Sequence, residues 1–135
     1  MNPVMSCSVW RRLATVLESV YRCPTLLHGS GSEHERSFER LLQHHGISPL
    51  SLTSQGPEGY IRHPKGPQRW PDMEVRDGET HLPIELKTTS GPYAHMGQTW
   101  IRSEALYVIQ HRRQPAVYIA WGKDMKTEEE ERKYH

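Results

Sequence analysis

The chain has 135 residues, a formal net charge of +1 and a hydrophobic fraction of 35%, values that predict one domain with a modest core and sizeable polar loops. No stretch approaches the roughly 20 apolar residues of a membrane span. Arg11 and Arg12 interrupt the apolar N-terminal patch, unlike a signal peptide. Cys7 and Cys23 show neither metal-ligand nor disulfide-framework spacing. We therefore expect a reduced, cytoplasmic protein, or a nuclear one in a eukaryote, without a membrane partner.

Two amphipathic helices are predicted in the first third of the chain. Apolar residues recur at helical spacing over residues 9–22, and that helix is expected to end before Pro24. A Gly- and Ser-rich joint follows, in which Ser32 is the expected N-cap of a second helix over 33–45 that stops at Gly46. We expect a single domain over 1–123, with its core at 33–123, and a charged C-terminal tail over 124–135.

A β-hairpin is predicted in the middle of the chain. Residues 47–61 are expected to contain one strand, and the basic, Pro- and Gly-rich segment 62–68 a loop. Asp77-Gly78 then separates two alternating runs, which is a strong hairpin signal. One face of this hairpin is apolar and is expected to face the core; it carries Met73, Val75, Leu82, Ile84 and Leu86.

The other face of the hairpin carries charge. Side chains alternate along a strand, so Asp72, Glu85 and Lys87 share this face. A two-residue turn would pair Asp72 with Pro83, and a four-residue loop through Thr80 would pair it with Glu85. Both alternatives leave the three charged side chains on one face.

The last third is predicted to contain a loop over 88–99, a helix over 100–112 and a strand over 115–121. The helix would bury its apolar residues, and the near-continuous apolar strand is typical of one covered on both faces. Helices around a mixed sheet place the protein in the α/β (α+β) class.

The segment Pro71-Asp72, followed after twelve residues by Glu85-Leu86-Lys87, resembles the signature of the PD-(D/E)xK nuclease superfamily. The resemblance implies a restriction-endonuclease-like core of helix, three strands, helix and strand over about ninety residues. It also implies a Mg²⁺-dependent DNA endonuclease, restriction-type or structure-specific, acting as a homodimer. A Holliday-junction resolvase or repair nuclease of the same superfamily, a non-catalytic nucleic-acid-binding module and a protein-interaction domain remain alternatives.

The chemistry of the charged face supports a metal site. Hydrolysis of a phosphodiester benefits from a metal that neutralises phosphate charge, and Mg²⁺, or Mn²⁺ in its place, takes hard oxygen ligands. Asp72 and Glu85 offer carboxylates, and the Leu86 carbonyl offers a third oxygen. Lys87 is suited to orient water or stabilise developing charge. The alternative is an exposed strand face with a cross-strand ion pair, either Asp72–Lys87 or Glu85–Arg76.

Further site residues follow from the resemblance and from residue chemistry. The superfamily often adds an acid from the preceding helix, which here is Glu35 or, alternatively, Glu39. Gln98 and Thr88 follow the motif and are candidates for substrate contacts. The basic segment before the motif offers further phosphate contacts, at Arg62, His63, Lys65 and Arg69. Tyr107 lies too far on to complete a Gln-x-x-x-Tyr motif with Gln98.

Overall fold

Three α-helices and five strands make up the part of the chain that the computed structural model describes, residues 8–50, 58–67, 69–90 and 101–125. No helix within these ranges is long and apolar enough to cross a bilayer. The elements in chain order are α1 (Val9–Arg22), a 3-10 turn (Pro24–Leu26), α2 (Ser32–His44), β1 (Gly59–Arg62), β2 (Met73–Arg76), β3 (His81–Thr89), β4 (Leu106–His111), β5 (Ala116–Trp121) and α3 (Gly122–Met125).

The strands form one mixed sheet in the order β1-β2-β3-β4-β5. The pairs β1–β2, β2–β3 and β4–β5 are antiparallel, whereas β3 and β4 are parallel. A parallel pair needs a crossover connection, and residues 90–105 form the connection between these two strands. The expected mixed sheet with helices, and hence the α/β (α+β) class, is confirmed at this level.

Helix α1 packs its apolar stripe against one face of the sheet. The buried residues Val9, Leu13, Val16 and Val20 recur at helical spacing, and the Ser8 hydroxyl caps the helix by accepting a hydrogen bond from the Arg11 amide. The predicted helix is confirmed. The core between the helices and this face of the sheet also includes Leu27, Phe38, Leu42, Ile47, Tyr60, Met73, Val75, Ile84, Val108 and Val117.

Helix α2 begins one residue earlier than predicted. Gly31, not Ser32, is the N-cap residue, and no side chain caps the helix. The Ser32 hydroxyl instead accepts a hydrogen bond from Arg62 Nη2 at 3.1 Å, so it ties the helix to the end of β1. The helix ends at His44, and Gly46 has the positive φ of +81° that commonly follows a helix end and suits glycine.

The hairpin has the four-residue loop, Asp77–Thr80, and the two-residue alternative is wrong. The register pairs Met73 with Ile84, which sets Asp72 opposite Glu85. Asp77 closes the loop, because its amide donates to the Thr80 carbonyl and its Oδ1 accepts from the Thr80 amide. Trp10 Nε1 of α1 donates to Asp77 Oδ2 at 2.6 Å. The predicted apolar face does pack into the core.

The predicted helix over 100–112 is wrong within the described residues, because Leu106–His111 is strand β4. The apolar run from Ala105 to Ile109 is buried on both faces of the sheet. Such a run has no alternating polar positions, and its periodicity does not distinguish a buried strand from a buried helix. The β-branched Val108 and Ile109 and the aromatic Tyr107 suit the strand that forms.

The predicted strand over 115–121 exists, but it is not covered on both faces. It forms β5, which is an edge of the sheet, and Tyr118 and Trp121 are 55% and 42% exposed. Two loop boundaries are also corrected. Arg62 ends β1, and Thr88 and Thr89 extend β3, because each continues the ladder of its neighbouring strand.

Gly122 allows α3 to approach the chain that leads into β4. A Cβ atom at this position would lie 1.7 Å from the Arg102 carbonyl oxygen, and the Gly122 amide donates to the Ala105 carbonyl.

We expect Gly122→Ala to lower the free energy of unfolding by about 1–3 kcal/mol, because the backbone must shift. Thermal melting checks this against the exposed neighbour variant Lys123→Ala. Equal melting temperatures would contradict the close approach.

Candidate active site

Asp72 and Glu85 are held side by side by two hydrogen bonds between adjacent strands. The Asp72 amide donates to Glu85 Oε1 at 2.8 Å, and the Leu86 amide donates to Asp72 Oδ2 at 3.0 Å. Each bond joins a side chain of one strand to the backbone of the other. The hairpin register therefore fixes both carboxylates and gives them little freedom to separate.

Lys87 lies next to this pair. Its Nζ is 3.6 Å from Glu85 Oε2, and its side chain is 27% exposed, whereas Glu85 as a whole is 5% exposed. The face is thus neither an exposed one nor joined by a cross-strand ion pair, as the alternative required. Arg76 pairs with Glu74 of its own strand at 2.6 Å. The arrangement is an acid pair, in which Glu85 is buried and Asp72 half-buried, with one partly exposed ammonium at its edge.

The electrostatics of the acid pair are unbalanced. Burial raises the pKa of Asp72, and the negative charge of Glu35 adds to the rise, while the Leu86 amide, Lys87 and His63 oppose it. Burial also raises the pKa of Glu85, and the charge of Asp72 adds to it, while the Asp72 amide and Lys87 oppose it. The ionised pair is therefore under-compensated by the surrounding protein, and a bound cation would stabilise it.

Glu35 reaches the site from the first turn of α2. Its Oε1 accepts hydrogen bonds from Arg62 Nε at 3.1 Å and from His63 Nε2 at 2.8 Å. The His63 amide in turn donates to the Asp72 carbonyl at 2.9 Å. The helix acid is thus connected to Asp72 through His63. Glu39, the alternative, instead accepts from the Tyr60 hydroxyl at 2.5 Å.

His63 is a member of the site that sequence reasoning considered only as a DNA contact. It is a non-glycine residue with a φ of +53°, and such strained backbone is concentrated at functional sites. Its Nδ1 is buried and has no hydrogen-bond partner among the described residues. Only the position of β1 reveals this role, because His63 directly follows that strand and so lies beside Asp72 in the sheet.

The other predicted substrate contacts form no hydrogen bond with Asp72 or Glu85 among the described residues. Arg62 is engaged by Glu35 and Ser32, and Thr88 lies on the face of β3 opposite Lys87. Lys65 and Arg69 are exposed, and Lys65 Nζ lies 5.8 Å from the centre of the Trp70 ring. The Leu86 amide contacts Asp72, and its carbonyl as a ligand stays a prediction. Gln98 lies outside the described residues.

The donor set fits an open Mg²⁺ site but not a closed cage. Within the described ranges, no group of three or more His, Cys, Asp or Glu side chains is arranged to hold a metal ion. Mg²⁺ is usually bound through one or two carboxylates, with waters and substrate phosphates as its other ligands. Asp72 and Glu85 supply such a pair, and because burial raises the pKa of both, a cation bound there would stabilise their ionised forms.

The candidate site consists of a pair of carboxylates, of which Glu85 is buried and Asp72 half-buried, an adjacent ammonium, and a helix acid linked to the pair by a histidine. Comparison of the chain with protein-family models, curated proteins and solved structures found no match.

Proposed function

We propose that the protein is a Mg²⁺-dependent endonuclease that hydrolyses DNA phosphodiester bonds, restriction-type or structure-specific, similar to the PD-(D/E)xK nucleases. The observation that carries this proposal is the pair of half-buried Asp72 and buried Glu85, fixed by reciprocal hydrogen bonds to the strand backbone, with the Lys87 ammonium 3.6 Å from Glu85. A purely structural pair of one buried and one half-buried acid would gain more from a full set of cationic partners than from one partly exposed lysine.

The order of elements supports the same proposal. Helix α2 precedes the antiparallel strands β1, β2 and β3, and a crossover leads to β4, which pairs parallel to β3. This order is compatible with the core that the resemblance implies. Helix α1 and strand β5 lie outside that core.

The residues have distinct roles in the proposed hydrolysis. Asp72, Glu85 and the Leu86 carbonyl would hold Mg²⁺, which when bound lowers the pKa of a coordinated water and neutralises phosphate charge. Lys87 orients the attacking water and stabilises negative charge on the phosphate oxygens. Glu35 orients His63, and the His63 amide holds the carbonyl of Asp72. The partial exposure of Lys87 leaves it accessible to a substrate.

The test is incubation with supercoiled, linear and branched DNA, with Mg²⁺, with Mn²⁺ and with EDTA. We expect nicking only with the metals, and Asp72→Asn should reduce it at least about 100-fold, since even outer-shell changes at metal sites have effects approaching that size. Asp124→Asn, an exposed change of the same kind, should cut normally. A preference for branched DNA would indicate a resolvase. Shifted DNA mobility without cutting would contradict the proposal and indicate a non-catalytic binding module.

A further inference from the structure

A cationic pocket lies beside the proposed active site, at the carboxyl ends of the parallel strands β3 and β4. Its volume is about 300 Å³, and its lining comes from the segment after α1 and from the end of β4. Arg112 and Arg113 bring two guanidinium groups, and no Asp or Glu is among the described residues that line it. A pocket of this composition favours an anion.

Two histidines of the pocket also present hydrogen-bond donors. Arg40 Nη2, which can only donate, contacts His28 Nε2 at 3.3 Å, so in the neutral ring Nδ1 carries the proton. His111 Nδ1 accepts from the amides of Arg113 and Gln114, so in the neutral ring Nε2 carries the proton. Both rings therefore offer an N–H donor without needing to become charged.

Hydrogen bonds hold the floor of the pocket together. Gln110 Nε2 donates to the carbonyls of Pro24 and Leu27, both at 2.8 Å. Its Oε1 is therefore the acceptor for His34 Nε2, at 2.9 Å, and His34 is 2% exposed. This network joins β4, α2 and the turn after α1. The pocket is thus formed before any ligand arrives, which lowers the ordering cost of binding.

His34 and the end of β3 connect the pocket to the proposed active site. Burial lowers the pKa of His34; Arg112 and His28 of the pocket lower it further, whereas Glu35 of the active site raises it. The pKa of the buried His34 imidazole therefore depends on charged groups of the pocket and on Glu35 of the proposed active site. Along β3, Thr89 lies two residues beyond Lys87, and its carbonyl accepts from the Arg112 amide at 2.7 Å.

We propose that this pocket binds a backbone phosphate of the DNA strand that is cut at the proposed active site. The proposal rests on the proposed function. The guanidinium of Arg112 and the N–H donors of His28 and His111 match the oxygens of a phosphate.

The experiment measures binding separately from cutting. Fluorescence anisotropy of a labelled duplex, with Ca²⁺ in place of Mg²⁺, is recorded over a series of salt concentrations. We expect Arg112→Gln to weaken binding at least about 5-fold and to reduce the salt slope by about one phosphate contact. Arg11→Gln, an exposed change of the same kind on α1, should leave both unchanged. Melting curves verify that each variant is folded, and Arg113→Gln serves as a second variant.

The outcomes separate this inference from the nuclease proposal. Metal-dependent nicking together with unchanged affinity in Arg112→Gln and Arg113→Gln would overturn the pocket assignment alone. Affinity that depends on Arg112 without any nicking would support the pocket and overturn the nuclease. A titration with inorganic phosphate, monitored through the NMR signals of His28 and His111, tests whether the pocket binds free phosphate instead of DNA. Signals that respond to phosphate in a protein that binds no duplex would overturn the DNA assignment and indicate a free phosphate ligand.

Discussion

Glu85→Gln is expected to abolish Mg²⁺-dependent nicking and, at the same time, to raise the melting temperature of the metal-free protein. Glutamine keeps the oxygen that accepts the hydrogen bond of the Asp72 amide, but it removes the buried negative charge of Glu85. Cleavage should fall at least about 100-fold, since a metal ligand is lost. A gain of about 1 kcal/mol would raise the melting temperature by roughly 4 °C in a domain of this size.

The stabilisation should depend on pH in a defined direction. The pKa of Glu85 is raised in the folded protein, so the folded state holds its proton more tightly than the unfolded state does. The unfavourable contribution of Glu85 is therefore fully present above its folded pKa and disappears as the pH falls below the unfolded value of 4.5. The difference in melting temperature between Glu85→Gln and the wild type should be largest near pH 8 and shrink towards pH 4.

Mg²⁺ provides the complementary measurement. Saturating Mg²⁺ should raise the melting temperature of the wild type and should have little effect on Glu85→Gln. At a Mg²⁺ concentration of 100 times Kd, binding adds about 2.7 kcal/mol to the free energy of unfolding. The exposed hairpin-loop variant Glu79→Gln is the matched control and should respond like the wild type. A Mg²⁺-dependent rise of equal size in Glu85→Gln would remove Glu85 from the metal site.

Lys87→Met is expected to lose cleavage rate while it keeps metal binding. Methionine retains much of the length of the side chain but removes the ammonium that lies 3.6 Å from Glu85. Loss of a group that orients water or stabilises the transition state typically reduces the rate by about 10²–10⁴-fold. The rate is measured under single-turnover conditions, and metal binding by the Mg²⁺-induced rise in melting temperature.

The matched control for this variant is Lys123→Met, which changes an exposed lysine at the start of α3. It should cut at the wild-type rate. If Lys87→Met cuts normally, the ammonium has only an electrostatic role next to Glu85. If it loses Mg²⁺ binding along with activity, the effect of Lys87 is structural and its role in the reaction is wrong.

The hairpin could be predicted from the sequence because its signals are local. Alternation fixes which side chains share a face, and Asp77-Gly78 marks the reversal. The loop length was left open, because Asp77-Gly78 suits either turn and the contact from Trp10 that holds Asp77 is a tertiary feature. The shared face of Asp72, Glu85 and Lys87 did not depend on that choice.

The sequence-based predictions failed where the position of an element in the sheet, and not its local pattern, decides its structure and burial. Leu106–His111 is apolar without alternation, so length and periodicity gave a helix where the sheet requires a strand. The edge position of β5 is set by the strand order and carries no local signal. The sequence offered His63 only as a DNA contact, and its hydrogen bond to Glu35 was not predicted because it joins residues 28 positions apart.

The contact between Trp10 and Asp77 connects the N-terminal helix to the hairpin loop, and the length of that loop determines how the two acids are paired. Asp77 fixes the loop at four residues, and that count sets Asp72 against Glu85. Deleting two loop residues would preserve the shared face but slide the two acids out of alignment, and deleting one would turn one of them into the core. Insertions and deletions in this loop are therefore constrained by parity and length.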